Sequence, residues 1–312
     1  MGFYTDKAIS PLPAAPPTAH HLDVRSIEAK HLQDIDAVVH LAALSNDPLG
    51  ELDPGLTEVI NHQASVRLAK LAREAGVRRF VFSSSCSMYG AADTSSPLDE
   101  RATFNPVSAY ARSKVNAEAG IGALASADFS PVFLRNATAY GLSPAMRFDL
   151  VVNNLVGWAL ATGNIRLQSD GSPWRPIVHV EDIGRACIAA LEAPRETVHN
   201  QAFNTGADHL NLQIIQLAEI VADSVPGCQI RVLAEPGADQ RTYKASFEKF
   251  ASTFPDFRFS WSAEEGAKDL YQTLSELGLT NQQFTSPQFT RLKWLNTLLD
   301  AGHLDSTLRW PD

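Results

Sequence analysis

Tyr110 and Lys114 stand four residues apart in YARSK, so on a helix their side chains share one face, one turn apart. A free phenol near pKa 10 is a poor base at neutral pH, and a nearby ammonium stabilises the phenolate, so residues of these types can move a proton on and off a hydroxyl. The spacing alone describes two surface residues of any helix equally well. It gains weight from SSSCSMYG at 83–90, which directly follows an apolar run and places Ser85 upstream of the pair.

The elements around these residues follow from the apolar pattern. Residues 37–43 (AVVHLAA) form a short continuous apolar run, as expected of a strand buried on both faces of a parallel sheet. Residues 56–75 read as a helix with Leu68, Leu71 and Ala72 on one side and Gly76 as its stop. Residues 79–83 predict a second strand, 108–125 a helix and 131–135 a third strand. That alternation implies an α/β fold, a doubly wound parallel sheet of Rossmann-like type, which places ligands at the carboxyl ends of its strands. Those ends are 42–47, 83–90 and 136–141. Beyond Gly141 the alternation fails: a helix is expected at 148–162, then a Pro-bounded segment and mixed elements. We expect a doubly wound domain over 1–142 and a smaller mixed α/β lobe over 143–312, some of whose segments return to the first. The Pro-rich first twenty residues read as a loop, and the turn-rich segment 235–245 as a cover between the lobes.

Composition narrows the function classes. A formal net charge of −9 argues against nucleic-acid binding, which needs a basic surface. Cys86, Cys187 and Cys228 are odd in number and lack CxxC or Cys/His spacing, so neither a disulfide framework nor a metal site is expected. No apolar run is long enough to span a bilayer and no signal-peptide order opens the chain, so a cytoplasmic protein is expected.

Several ordered segments together resemble the extended short-chain dehydrogenases/reductases that epimerise or dehydrate nucleotide sugars. They are HLDVR at 21–25, VVHLAALSNDP at 38–48, INH at 60–62, AGVRRFVFSSSCSMYG at 75–90, YARSK at 110–114, LRNATAYG at 134–141, NNL at 153–155 and WRPIVHVEDI at 174–183. The resemblance implies an NAD cofactor, a nucleotide-sugar substrate and a homodimer built through the helices at 56–75 and 108–125. By position it makes Tyr110 the general acid/base, Lys114 the residue that lowers its pKa and holds the nicotinamide ribose, and Ser85 the group that orients the sugar hydroxyl. It places Asp23, Ala42, Ala43, Asn61 and Ser83 along the cofactor, and Asn136, Asn153, Arg175 and Arg241 near the substrate diphosphate, where arginine forks suit phosphate. Asp182 reads as a helix N-cap and His179 as a core histidine.

The chain departs from the family in two places. The family opens with a strand, a GxxGxxG turn and a phosphate-binding helix, whereas Gly2 is the only glycine here before Gly50. The expectation is that this glycine-rich unit is missing, so that the resemblance makes 1–142 an incomplete dinucleotide-binding domain and 143–312 mainly the substrate-binding lobe, and an alternative stays open: a cofactor-deficient, truncated homologue without catalysis. Family dehydratases carry an acidic pair after the serine, but this chain has Cys86 and Ser87. That favours epimerisation by transient oxidation of a sugar carbinol over dehydration or net reduction, with Cys86 a packed thiol.

Overall fold

The computed structural model describes residues 20–233 and 241–311. Nine strands run along these residues: β1 (Ala37–His40), β2 (Arg79–Ser85), β3 (Ser130–Asn136), β4 (Thr138–Tyr140), β5 (Asn164–Leu167), β6 (Trp174–His179), β7 (Gln201–Thr205), β8 (Asn211–Gln213) and β9 (Gln229–Val232). The longer helices are α1 (Ala64–Glu74), α2 (Ala109–Gly122), α3 (Val151–Thr162), α4 (Val180–Glu192), α5 (Ile214–Ser224), α6 (Ala263–Glu276) and α7 (Arg291–Asp300).

The first sheet is parallel throughout, in the order β1-β2-β3-β7. Its two-residue period divides β2 between two cores. Phe80 and Phe82 pack with Leu68, Ala69, Ala117, Ile121 and Phe133 under α1 and α2. Val81 joins Val132, Leu134, Phe203 and the α4 residues Ala186, Cys187 and Ala190 on the other face. This is the doubly wound arrangement. Burying each such side chain contributes about 1.5–3 kcal/mol, which is why the strands read as unbroken apolar runs.

A third core gathers α3, α5 and α6 around Tyr140, Leu155, Ile165, Leu217 and Leu270. Beside it run the sheet β4-β6-β8 and the pair β5-β9. A fourth cluster lays Leu295 and Leu298 of α7, with Leu304 and Leu308, on Leu44, Leu49 and Ile60, so the C-terminal segment covers the loop that follows β1.

Several element boundaries differ from the sequence expectation for local reasons. The first strand stops at His40, because Leu41 and Ala42 turn outward to solvent. The helix expected at 56–75 contains a π-helical stretch, Glu58–Gln63, before α1 begins. The helix expected from Phe148 starts at Val151, since the amides of Asn153 and Asn154 hold the carbonyls of Arg147 and Phe148 at its mouth. His179, not Asp182, caps α4: its ring accepts the Glu181 N–H, while the Asp182 carboxylate accepts N–H bonds from Ser260 and Trp261. Residues 1–19 and 235–240, on which the expected opening loop and most of the covering segment fall, lie outside the described residues. No helix among the described residues is long and apolar enough to cross a membrane.

Candidate active site

The carboxyl ends of β2 and β3 and the first turns of α2 converge. Ser108 caps α2, its Oγ accepting the Ala111 N–H at 3.1 Å, and this fixes where the next two helical turns point. Tyr110 and Lys114 are both buried on those turns, at 8% and 4% exposure. The Lys114 ammonium donates to the Ser83 carbonyl at 2.6 Å and lies 4.6 Å from the Phe82 ring centre and 5.8 Å from that of Tyr110.

Burial drives the titration of both groups. It pulls the Lys114 ammonium down to about 8, with the Glu118 charge opposing the shift. It pushes the Tyr110 phenol up to about 12. A hydrogen bond with Ser85 and the charge of Arg147 draw the phenol back down, while Asp47 and Cys86 push it up. Ser85 ends β2 and caps the short helix Cys86–Tyr89, its Oγ accepting the Ser87 N–H at 3.1 Å. The same hydroxyl therefore touches the phenol while backbone geometry holds it.

Two further residues set the position of α2. Asn61 projects inward from the π-helical stretch and brackets Leu44, accepting its N–H at 2.8 Å and donating to its carbonyl at 3.0 Å. It also donates to Ser113 on α2 at 3.1 Å, so one amide ties the loop after β1 to the helix that bears Tyr110. Gly50 packs against that helix so closely that a Cβ there would sit 2.8 Å from Tyr110 Cβ.

The strand ends carry buried polar atoms without a partner. Asn136, in register with Ser85, donates to Ser83 Oγ at 3.0 Å, yet its Oδ1 is unpaired, as are Ser84 Oγ and Ser87 Oγ. Buried polar atoms normally find partners, so these mark a place for a polar ligand. Together with Lys114 and Tyr110 they fit the nicotinamide and ribose end of a dinucleotide. Ala42 and Ala43, at the end of β1, are small and accessible beside it. The pyrophosphate end fits less well. No GxxGxxG occurs anywhere in the chain. The single turn after β1, Asp47–Gly50, opens on an acidic residue, the wrong sign for phosphate. Asp23 is engaged with Arg25, accepting bonds of 2.7, 2.9 and 2.5 Å from it, and these hold its carboxyl below the usual range against the effect of burial.

On the substrate side, Arg175 lines a cavity of about 580 Å³ with Phe148, Asn154, Trp158, Arg166 and Gln168. It donates to the carbonyls of Trp174 and Arg241. The Arg241 guanidinium pairs with Asp47, whose other oxygen accepts from Ser108. Asn153 is committed to the backbone of Gly141 and Arg147. The Cys86 thiol is fully buried, donates to the Arg135 carbonyl at 3.1 Å and is raised well above its ordinary value by that burial. No cluster of three or more potential metal ligands occurs among the described residues.

Sequence reasoning missed Asp47 and Arg147. Asp47 occupies a strand-end loop where a ligand-facing residue is expected, but its partners Ser108 and Arg241 are far away in the chain and no spacing announces them. Arg147, held by Asp149 at 2.9 Å and donating to Ser45 Oγ at 2.9 Å, is likewise visible only once the loops are folded together.

Known proteins resemble this chain in sequence and in fold. The model of the NAD dependent epimerase/dehydratase family matches residues 6–206. A UDP-glucuronate 4-epimerase of Thermodesulfobacterium geofontis is 30% identical over 191 residues, which is 60% of this chain and 56% of that relative. A UDP-glucose 4-epimerase of Bacillus subtilis is 27% identical over 236 residues, 67% of this chain and 69% of that one. The chain thus spans little more than half the length of the first of these relatives. Among solved structures, MoeE5 in complex with UDP-glucuronic acid and NAD superposes with a TM-score of 0.73 at 25% identity, covering 83% of this chain and 86% of that one.

Proposed function

The chain belongs to the NAD-dependent epimerase/dehydratase family, and from that premise we propose that it is a nucleotide-sugar 4-epimerase. The observation that carries the reading is the set Ser85, Tyr110 and Lys114 at the carboxyl end of β2, with a packed thiol rather than a carboxylate following the serine. Elimination of water needs an acid and a base beside the sugar; inversion at one carbinol needs only a proton carrier that works in both directions. The 4-epimerases among its relatives agree with that choice.

In this reading Ser85 holds the sugar hydroxyl, and Tyr110 removes its proton as the carbinol carbon is oxidised. Bound NAD supplies the hydride acceptor and returns the hydride, the chemistry that no side chain provides. Lys114 holds the nicotinamide ribose and, as an ammonium, stabilises the phenolate. After the keto sugar turns over and presents its other face to the cofactor, Tyr110 returns the proton to the carbonyl oxygen, so the carbinol is restored with inverted configuration. Arg175 and Arg241 bind the diphosphate and the cavity beside Arg175 takes the nucleoside. Exposed Val59 and Val107, near the starts of the helical stretches leading into α1 and α2, favour a dimer through those elements; a monomer in light scattering would refute that part.

The test is to incubate the chain with NAD and UDP-glucose or UDP-glucuronate and follow the 4-epimer by NMR, with no net NADH formed. Tyr110→Phe should lower the rate by about 10²–10⁴-fold, the usual contribution of a positioned acid/base. Nucleotide-sugar binding without turnover, even at saturating NAD, would point instead to the cofactor-deficient alternative.

A further inference from the structure

Asp47 stands where the two halves of the site meet. One carboxylate oxygen accepts from Ser108, the cap of the helix that carries Tyr110, and the other pairs with Arg241. The Arg241 carbonyl accepts from Arg175, which lines the large cavity. A ligand whose nucleoside fills that cavity and whose sugar reaches Tyr110 must therefore carry its diphosphate past this ion pair. Both side chains keep partial access to water, at 25% for Arg241 and 18% for Asp47, so an incoming anion can compete for the guanidinium. The backbone of Arg241 is tethered independently through Arg175, and Asp47 through Ser108, so an exchange needs only a side-chain rotation.

We propose that Asp47 is an exchangeable partner of Arg241: it holds the guanidinium at the mouth of the cleft until a substrate diphosphate takes its place. This rests on the nucleotide-sugar reading above and adds a positioning residue to it. The arginine keeps an anionic partner in both states, so the arm is never presented to the cleft as a bare charge. Bulk binding strength is given up for an arm already oriented toward its ligand, because each diphosphate contact must first displace a carboxylate. Asp47 also keeps its hold on the cap of α2 throughout, so the exchange takes place one turn from the acid/base.

The experiment measures UDP binding by calorimetry to the full chain, its Asp47→Asn and Arg241→Ala variants and the double variant. Asparagine keeps an acceptor for Ser108 but no charge, and Asp47→Ser, checked for folding by circular dichroism, serves if the first variant is unstable. The expected result is that Asp47→Asn binds UDP about fivefold tighter, that Arg241→Ala binds at least about tenfold weaker, and that Asp47→Asn has no effect once Arg241 is gone. With sugar substrate the gain should fall on KM and disappear in the Arg241→Ala background, a pattern that damage to the helix cap does not give. Equal or weaker binding by Asp47→Asn overturns the exchange, and so does an undiminished gain in the Arg241→Ala background, which would show a general charge effect. If neither wild type nor Asp47→Asn binds UDP, TDP or GDP, the nucleotide-sugar reading itself has failed and the exchange falls with it. Binding by wild type with the wrong pattern among variants rejects the exchange alone.

Discussion

Lys114 shows what the chemistry costs the fold. An ammonium buried to 4% exposure is disfavoured there, and its pKa of about 8 against an ordinary 10.5 records that penalty. The sign follows from proton counting. Below pH 8 both folded and unfolded chains hold the proton, and the penalty is present in full. Between 8 and 10.5 the unfolded chain binds more protons, so this group's contribution to stability rises with pH. Lys114→Met removes the buried charge but also the bond to the Ser83 carbonyl, a loss of about 1–3 kcal/mol set against roughly 3 kcal/mol relieved. The variant is expected to be inactive yet as stable as the parent or a few degrees more so at pH 7. Its advantage should shrink toward pH 10. Thermal melts of the two proteins at both pH values check this; a variant that melts far below the parent at pH 7 contradicts the account.

At the scale of elements, α2 is placed from outside. Nothing within YARSK determines where its phenol points; the capping Ser108, the Asn61 amide on Ser113 and the close approach of Gly50 do so together. Gly50→Ala puts a methyl group within 2.8 Å of Tyr110 Cβ and 2.9 Å of its backbone nitrogen, so α2 must shift. A displacement of this kind costs about 1–3 kcal/mol of stability and, through lost alignment, up to about 10²-fold in kcat. A parallel fall in melting temperature and kcat is the expected signature, and unchanged kinetics would show that the contact positions nothing. These same contacts explain what was legible in the sequence. Residues that act by type and local spacing, such as Tyr110 and Lys114 on one helical face or the apolar runs of β1, β2 and β3, announce themselves. Asp47 does not, because its role comes from Ser108 and Arg241, brought to it only by the crossing of the sheet. The π-helical turn that aims Asn61 inward also leaves no periodic signal, since 56–75 reads as uninterrupted helix. The motif position of Asn153 likewise gives no sign of the bonds its amide makes to the backbone of Gly141 and Arg147.

For the whole molecule, the question is how one sheet holds both ends of a dinucleotide. In the proposed reading the nicotinamide end is met by the ammonium of Lys114, the phenol of Tyr110 and unpaired buried polar atoms at and just after the ends of β2 and β3. Beyond β1 the described residues offer the pyrophosphate neither a glycine-rich turn nor a long helix aimed at it, and the turn that is there opens on Asp47. Phosphate contacts from a helix N-terminus supply much of the affinity in such folds. A site that offers the pyrophosphate only these described residues should therefore weaken NAD far more than nicotinamide mononucleotide, which does without the pyrophosphate contacts to the adenosine half. We expect this chain to bind both compounds with similar dissociation constants, above about 100 μM, where an intact dinucleotide cradle would separate them by orders of magnitude. Side-by-side calorimetry decides it. NAD binding in the low micromolar range, with mononucleotide binding much weaker, would overturn the expectation that the groups at the ends of β2 and β3 supply most of the affinity.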